Sequence, residues 1–168
     1  SAGSIGSEIV RQVASFSPSS LMLLASAEPP QHDIRRMMAH DFPSVPCATV
    51  VTSITKADRM ENIFKTFLPE YVFHAAAYKH VPMMEDNLCE SIQNNVLGTK
   101  ILADLSVKYG VRRFVMVSTD KAVNPTNVMG CSKRICEVYV QSLNKAERDG
   151  VVKGQTQFIT TRFGNVLG

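Results

Sequence analysis

Val117-Ser-Thr-Asp-Lys-Ala-Val-Asn-Pro-Thr-Asn-Val-Met-Gly-Cys-Ser-Lys133 is the stretch from which both the fold and the chemistry of this chain can be inferred. It follows the apolar run 114–117, which is typical of a buried strand, and it leads into a segment where Ile135 and Leu143 recur at helical spacing. A strand, a polar loop and a helix therefore follow one another. The loop and the start of the helix carry one carboxyl group and two lysines, a combination that predicts acid/base chemistry on a bound small molecule.

The same alternation of short apolar runs and amphipathic segments continues along the rest of the chain. It favours parallel strands joined by crossover helices, and so a Rossmann-type, doubly wound parallel α/β sheet. Residues 1–168 are interpreted as one partial Rossmann domain. The chain opens within a glycine-rich turn that should follow a strand, so we expect the first and central strand to lie outside the sequence and the remainder to form two half-sheets. The predicted strands are 21–24, 48–51, 71–75, 114–117 and 158–161.

Composition excludes several classes of protein. Hydrophobic residues make up 45% and charged residues 20% of the 168 residues, which is ordinary for a globular protein. No apolar run approaches the ~20 residues of a membrane span and no signal peptide is recognisable, so this stretch is predicted to be cytoplasmic. The net charge of +3 is small and the basic residues form no aromatic-interleaved stripe, which argues against a nucleic-acid partner. The four cysteines form no C-x-x-C pair, so neither a metal site nor a disulfide framework is expected.

Two further motifs accompany the opening stretch: His74-Ala-Ala-Ala-Tyr-Lys-His-Val-Pro82 and Arg162-Phe-Gly-Asn-Val-Leu-Gly168. Together the three motifs resemble the sugar-nucleotide 4,6-dehydratases of capsule and O-antigen synthesis, which belong to the extended short-chain dehydrogenase/reductase superfamily. The resemblance implies NAD or NADP as cofactor and the dehydration of a UDP-sugar, UDP-N-acetylglucosamine, to a 4-keto-6-deoxy sugar. It also implies a C-terminal substrate subdomain after Gly168, and further segments outside this sequence that could tether the protein to the inner membrane.

The resemblance further implies a homo-oligomer. Relatives commonly pair through two helices that correspond to residues 90–109 and 129–148 of this chain. We expect these helices to expose apolar side chains, Tyr139 and Val140 among them.

For catalysis, the resemblance assigns the elimination of water to Thr119, Asp120 and Lys121. Lys121 is the base that removes the C5 proton of the oxidised sugar, and Asp120 is the acid that protonates the departing C6 hydroxyl group. Because an aspartic acid must stay protonated to act in this way, we expect the two side chains to be buried beside one another and the pKa of Asp120 to be raised.

Lys133 is the lysine that the wider superfamily places four residues after a tyrosine, on the same helix face. Here the tyrosine position holds Met129, which cannot carry a proton, and the capsule-type branch often has methionine there. The group that receives the C4 hydroxyl proton is left open among Thr119 relaying to a water, Tyr78, and Lys133 with a depressed pKa.

The predicted cofactor site has two parts. A G-x-x-G turn at a helix N-terminus lets the backbone approach a pyrophosphate, with unpaired amides facing the anion. Small side chains after a strand leave room for a ribose or nicotinamide at the carboxyl end of the sheet. The predicted cofactor-binding residues are Gly3, Ser4, Ile5, Gly6, Ala75, Ala76, Ala77, Asn95 and Lys133.

Two cofactor contacts that the resemblance would imply are absent. Ala25 stands where relatives usually have an acidic residue for the adenosine ribose, and Ser53 stands where they have an aspartate for the adenine edge. Glu28 could replace the missing acidic contact to the ribose, or Arg35 and Arg36 could instead contact a 2'-phosphate. The choice between NAD and NADP therefore stays open.

The predicted substrate contacts are Tyr78, Lys79 and His80, on the loop that should border the sugar pocket, and Asn165 at the end of the last strand. Two other interpretations remain. An epimerase acting on a similar sugar nucleotide would share the cofactor and the oxidation step, although the 119–121 trio argues for elimination. A non-catalytic dinucleotide or sugar-nucleotide sensor would be consistent with Met129.

Overall fold

The computed structural model describes residues 3–164, which form two compact units, residues up to Lys56 and residues from Ala57 onward. In the first unit two parallel strands pair in register from Leu21 opposite Cys47 to Ala25 opposite Val51. Two amphipathic helices pack an apolar core, which includes Val10 and Met38, against the strands. The elements of this unit are α1 (Ser4–Ser15), β1 (Leu21–Ala25), α2 (Glu28–Asp41) and β2 (Cys47–Val51).

The second unit is built on a three-stranded parallel sheet of order β3-β4-β5. The central strand is buried, and the ring of Phe114 contacts His74 on one side and Phe158 on the other. A π-helical segment interrupts the helical region between β3 and β4. The elements are α3 (Ala57–Phe67), β3 (Tyr71–His74), α4 (Val81–Asp86), α5 (Leu88–Ser91), the π segment (Ile92–Leu97), α6 (Gly98–Lys108), β4 (Arg113–Thr119), a 3-10 turn (Asp120–Ala122), α7 (Val128–Arg148) and β5 (Gln157–Phe163).

These elements confirm the Rossmann-type α/β prediction. All five predicted strands are present, and the described residues form the two separate parallel sheets that were expected. Helix ends also follow local signals. After α6, Gly110 adopts a φ of 69°, and the amide of Val111 bonds to the carbonyl of Ser106, so a left-handed residue closes this helix.

No helix between residues 3 and 164 combines the length and the apolar character needed to cross a bilayer.

Candidate functional site

The carboxyl edge of the three-stranded sheet brings two of the predicted site segments together. Strands β3, β4 and β5 are parallel, so all three end at the same edge. His74 ends β3 and leads into the alanine loop 75–77, while Thr119 ends β4 and leads into the 3-10 turn. This is the edge at which open α/β sheets bind their ligands.

The Thr119-Asp120-Lys121 segment forms a tight polar cluster. The Thr119 hydroxyl donates to Asp120 Oδ1 at 2.9 Å, and Lys121 Nζ donates to the same oxygen at 3.3 Å. The expectation of burial is wrong, because the side chain of Asp120 is 56% exposed. The expected rise in pKa is wrong too: the hydrogen bonds from Thr119 and Lys121 stabilise the carboxylate and lower the pKa of Asp120. In this state Asp120 is an ionised acceptor.

Gly130 fixes the position of this cluster against α7. A Cβ atom at residue 130 would lie 2.3 Å from the carbonyl oxygen of Lys121, a separation that packed proteins do not show. The amide of Gly130 donates to the side chain of Asn127, which caps the helix, at 2.8 Å. Glycine is therefore required here by the close approach of the helix start to the turn.

Lys133 lies in the interior on α7 and is only 5% exposed. Burial lowers its pKa, and the negative charge of Glu137, one turn further along the helix, acts in the opposite direction. One turn before Lys133, Met129 is also buried, so the position where the superfamily has a phenol is apolar in this chain. A buried amine with a lowered pKa is a candidate proton acceptor.

Asn95 joins three segments from within the π segment. Its Oδ1 accepts from the amide of Tyr78 at 2.8 Å, and its Nδ2 donates to the carbonyl of Tyr78 at 3.1 Å and to the hydroxyl of Ser132 at 3.0 Å. The side chain is 1% exposed. The amide thus ties the alanine loop to the residue next to Lys133, and π segments of this kind occur frequently at functional sites.

His74 is neutral and its tautomer is fixed by its neighbours. The Thr99 hydroxyl donates to the carbonyl of Asn95, so it accepts the hydrogen bond that joins it to His74 Nε2 at 2.8 Å. Complete burial, with the charge of Lys133 as a second cause, lowers the pKa of His74 to about 3. The histidine of the predicted motif is a structural donor beneath the loop.

The predicted substrate contacts on the loop before α4 are all exposed. Tyr78, whose backbone Asn95 holds, is 44% exposed, and Lys79 and His80 face solvent. Asn165 lies outside the described residues.

The structure contains an ion pair between α7 and β5, with a buried carboxylate, that was not predicted from the sequence. Arg162 donates from Nε and Nη2 to the two carboxylate oxygens of Glu137 at 2.8 and 2.6 Å, and Arg134 adds a third bond at 3.1 Å. Burial alone would raise the pKa of Glu137, but the contacts with Arg162, with the neighbouring Ser118 hydroxyl and with Arg134 outweigh it and lower the pKa to about 2. The available signal was a glutamate four residues after Lys133, which places both on one helix face.

In the first unit, the glycine turn forms the start of α1. Gly3 is the N-cap residue, no side chain among the described residues caps it, and the first turn has no acidic residue. A Cβ atom at Gly3 would meet nothing within 4 Å in the described part of the chain, so packing does not explain this glycine. Uncapped amides at a helix N-terminus suit an anion, and Ser4, Ile5 and Gly6 form the first turn.

The two positions that depart from the expected cofactor contacts lie at strand ends of the same unit. Ala25 ends β1, and Ser53 follows β2. The Ser53 hydroxyl lies 2.8 Å from the hydroxyl of Thr55 and accepts from the Thr55 amide, so it belongs to a local turn.

The prediction that α7 exposes Val140 is wrong, because this side chain is 1% exposed. Val140 lies on the stripe that also contains Met129, Lys133 and Cys136, which faces the sheet. Tyr139 is half-buried, and its hydroxyl donates to Asp104 on α6. The apolar side chains that α5, the π segment and α7 do expose are Leu88, Ile92, Leu97, Ile135 and Val138.

The fold and this polar edge define a Rossmann-type α/β protein, and open parallel sheets of this type bind their ligands at the carboxyl ends of the strands. Residues 1–168 match the polysaccharide biosynthesis protein family, and the chain belongs to it. It is 44% identical over 167 residues to the capsular polysaccharide biosynthesis protein CapD of Staphylococcus aureus, covering 99% of this chain and 27% of that protein. The chain thus spans about a quarter of the length of that relative.

Two enzyme types are among the other relatives. An inverting UDP-N-acetylglucosamine 4,6-dehydratase of Campylobacter jejuni is 40% identical over 100 residues, covering 59% of this chain and 28% of that protein. A UDP-glucose 4-epimerase of Rickettsia canadensis is 43% identical over 98 residues, covering 58% and 28%. Sequence similarity alone therefore does not separate the two reactions.

Solved structures agree on the fold. Pen from Bacillus thuringiensis superimposes with a TM-score of 0.87 at 26% identity, over 99% of this chain and 49% of that one. WbmG from Bordetella bronchiseptica, solved in complex with NAD and UDP, gives a TM-score of 0.78 at 21% identity, over 99% and 52%.

Proposed function

We propose that this chain is the cofactor-binding part of a sugar-nucleotide 4,6-dehydratase that converts UDP-N-acetylglucosamine to a 4-keto-6-deoxy sugar for bacterial surface polysaccharide. The observation that carries the proposal is the Asp120-Lys121 pair, an acid and a base within 3.3 Å of each other at the carboxyl end of β4. Epimerisation at C4 needs no such pair, whereas elimination needs both groups on neighbouring carbons.

Two segments, each within one unit, are the proposed contacts for NAD or NADP: the uncapped start of α1, residues 3–6, for the pyrophosphate, and the alanine loop 75–77 for a ribose or the nicotinamide. The start of α1 fits the pyrophosphate, since among the described residues a Cβ atom at Gly3 would meet nothing within 4 Å and the first turn has no acidic residue. When bound, the nicotinamide supplies the acceptor and later the donor of the hydride that moves from C4 to C6.

The remaining steps belong to side chains of this chain. We assign the C4 hydroxyl proton to Lys133, because burial lowers its pKa and because the hydroxyl of Thr119 is already bonded to Asp120. Lys121 then removes the C5 proton, which the C4 ketone has acidified, and Asp120 protonates the leaving C6 hydroxyl group, so that one water molecule departs.

Asp120 needs a proton for this role, and its carboxylate is ionised in the structure. A sugar ring placed over the half-exposed side chain would exclude water and weaken the stabilisation of the carboxylate, which raises its pKa in the complex. The exposed loop side chains Tyr78, Lys79 and His80, together with Asn165, are the proposed substrate contacts. The exposed apolar residues of α5 and α7 are the proposed surface for pairing of two copies.

Two other activities have support. The similarity to UDP-glucose 4-epimerases favours an epimerase, and the apolar Met129 favours a sensor that binds without turnover. Incubating the whole protein with UDP-N-acetylglucosamine and measuring product mass separates the three. Loss of one water supports the dehydratase, a stereoisomer of unchanged mass supports the epimerase, and binding without change supports the sensor.

The base assignment has its own test. Lys121→Met should abolish exchange of the C5 proton with deuterated solvent while cofactor stays bound, and retained exchange would overturn the assignment. Lys65→Met is the matched control, because Lys65 is an exposed lysine in the last turn of α3, which leads to the opposite edge of the sheet.

A further inference from the structure

The Glu137 carboxylate is the most completely enclosed charged group among the described residues. Its side chain is 0% exposed, whereas that of its partner Arg162 is 40% exposed. An enclosed carboxylate is costly unless its oxygens are fully bonded, and here two arginines supply three hydrogen bonds. The two-point contact from Arg162 also fixes direction, because a guanidinium fork and a carboxylate align in one plane.

The partner arginine stands at a position that matters for the site. On β5, Arg162 pairs with Ser118 and Phe163 pairs with Thr119, so the end of β5 runs beside the start of the 3-10 turn. The next residue is Gly164, where a Cβ atom would lie 3.8 Å from Asp120 Oδ2. The strand end that Arg162 anchors is therefore a wall of the space around the Asp120 carboxylate.

The helix side of the ion pair is equally well placed. On α7, Glu137 follows Lys133 by one turn, and Gly130 of the same helix contacts the backbone of Lys121. A single carboxylate thus connects the helix that carries Lys133 to the strand that borders Asp120. Its charge also acts on the Lys133 ammonium, which Cys136 of the same helix and His74 at the end of β3 face as well.

We propose that Glu137 is a positioning residue of this site: through Arg162 it holds the end of β5 beside Asp120, and from one helical turn away it supplies negative charge to Lys133. The catalytic meaning of this proposal rests on the function proposed above. The mechanical meaning does not, because the ion pair joins α7 to β5 whatever reaction the site performs.

The test compares four variants of the whole protein. Glu137→Gln keeps the shape and removes the charge, Arg162→Gln removes the opposite charge, and Arg162→Lys keeps the charge without the fork. Arg134→Gln is the matched control, because Arg134 bonds to the same carboxylate from α7 and, within residues 3–164, makes no hydrogen bond or ion pair to β5. Hydrogen exchange followed by mass spectrometry reports on residues 157–163 and 119–122. The pH profile of the C4 oxidation rate, a step in which Lys121 and Asp120 take no part, reports on Lys133.

In Glu137→Gln and in both Arg162 variants, exchange should quicken in these two segments and kcat should fall roughly 10- to 100-fold, with KM changing less. The rising limb of the pH profile should move down in Glu137→Gln, because a negative charge near Lys133 is lost. It should move up in Arg162→Gln and stay in place in Arg162→Lys. A merely structural role would not give shifts of opposite sign.

Wild-type exchange rates in Glu137→Gln, or equally fast exchange of residues 157–163 in Arg134→Gln, would overturn the proposal. If exchange quickened in both segments but the pH profiles of Glu137→Gln and Arg162→Gln did not shift in opposite directions, the claim that Glu137 supplies negative charge to Lys133 would be overturned. If the wild-type protein does not turn over the sugar nucleotide, the proposed function fails, and hydrogen exchange alone decides whether the pair anchors β5. Should Glu137→Gln not fold, Arg162→Lys decides whether the pair anchors β5, because it leaves no buried charge unpaired, and the pH shift in Arg162→Gln decides whether Glu137 supplies negative charge to Lys133.

Discussion

Replacing Gly130 by alanine should separate the start of α7 from the turn that carries Asp120 and Lys121. A Cβ atom there would lie 2.3 Å from a backbone oxygen, and 3.0 Å is the least that real Cβ atoms show, so helix and turn must part by about 0.7 Å. Overpacking of this kind costs about 1–3 kcal/mol, and the better helix propensity of alanine returns about 1 kcal/mol. We therefore expect a net loss of roughly 0–2 kcal/mol in the free energy of unfolding.

The effect on turnover should be larger than the effect on stability. A displacement approaching 1 Å near reacting groups can reduce the rate on the order of 100-fold, so kcat for loss of water should fall roughly 10- to 100-fold in Gly130→Ala. Urea denaturation and a mass-based turnover assay give the two numbers. Gly110→Ala is the control, because its φ of 69° costs an alanine about 1 kcal/mol while a Cβ there meets nothing within 4 Å. If Gly130→Ala kept the kcat of this control, the argument that close packing positions the turn would be refuted.

Three other outcomes are expected. Thr119→Val removes a hydrogen bond that lowers the pKa of Asp120, so the falling limb of the kcat pH profile, which requires the protonated acid, should move to higher pH; an unmoved limb would contradict the role of Asp120 as acid. Asn95→Asp loses the amide donor to the Tyr78 carbonyl and should cost about 2–3 kcal/mol in urea denaturation, with faster hydrogen exchange in loop 75–80. The pKa of Glu137 in the folded protein is lowered from 4.5 to about 2. Its ionised carboxylate therefore contributes to the free energy of unfolding above pH 4.5, and this contribution is lost as the pH falls toward 2. The stability difference between wild type and Glu137→Gln, at most on the order of 3 kcal/mol at pH 7, should shrink across that window, and a constant difference would count against a lowered pKa.

The parts of the fold that could be predicted are those with local causes. Strand positions followed from short apolar runs, and the end of α6 has a local signal in Gly110, because glycine adopts a positive φ without steric cost. The burial of Val140 could also have been predicted, since its spacing from Lys133 places both on the same face of α7.

The parts that could not be predicted depend on distant neighbours. Whether Asp120 gains or loses a proton is decided by exposure and by two particular hydrogen bonds, which the order of residues does not reveal. The pairing of Glu137 with Arg162 joins residues 25 positions apart across two elements. The π segment around Asn95 has no recognisable signal in residue type.

The π segment Ile92–Leu97 winds more widely than an ordinary helix, as if one residue had been added within a continuous turn. Shortening the chain by a single residue at Asn94 would let the segment relax to regular winding with the flanking helices still in phase. Such a deletion would spare the interior packing of α6 and rotate Asn95 away from the Tyr78 backbone. A deletion of one residue at this point would therefore preserve the fold while removing the contact that Asn95 makes at the site.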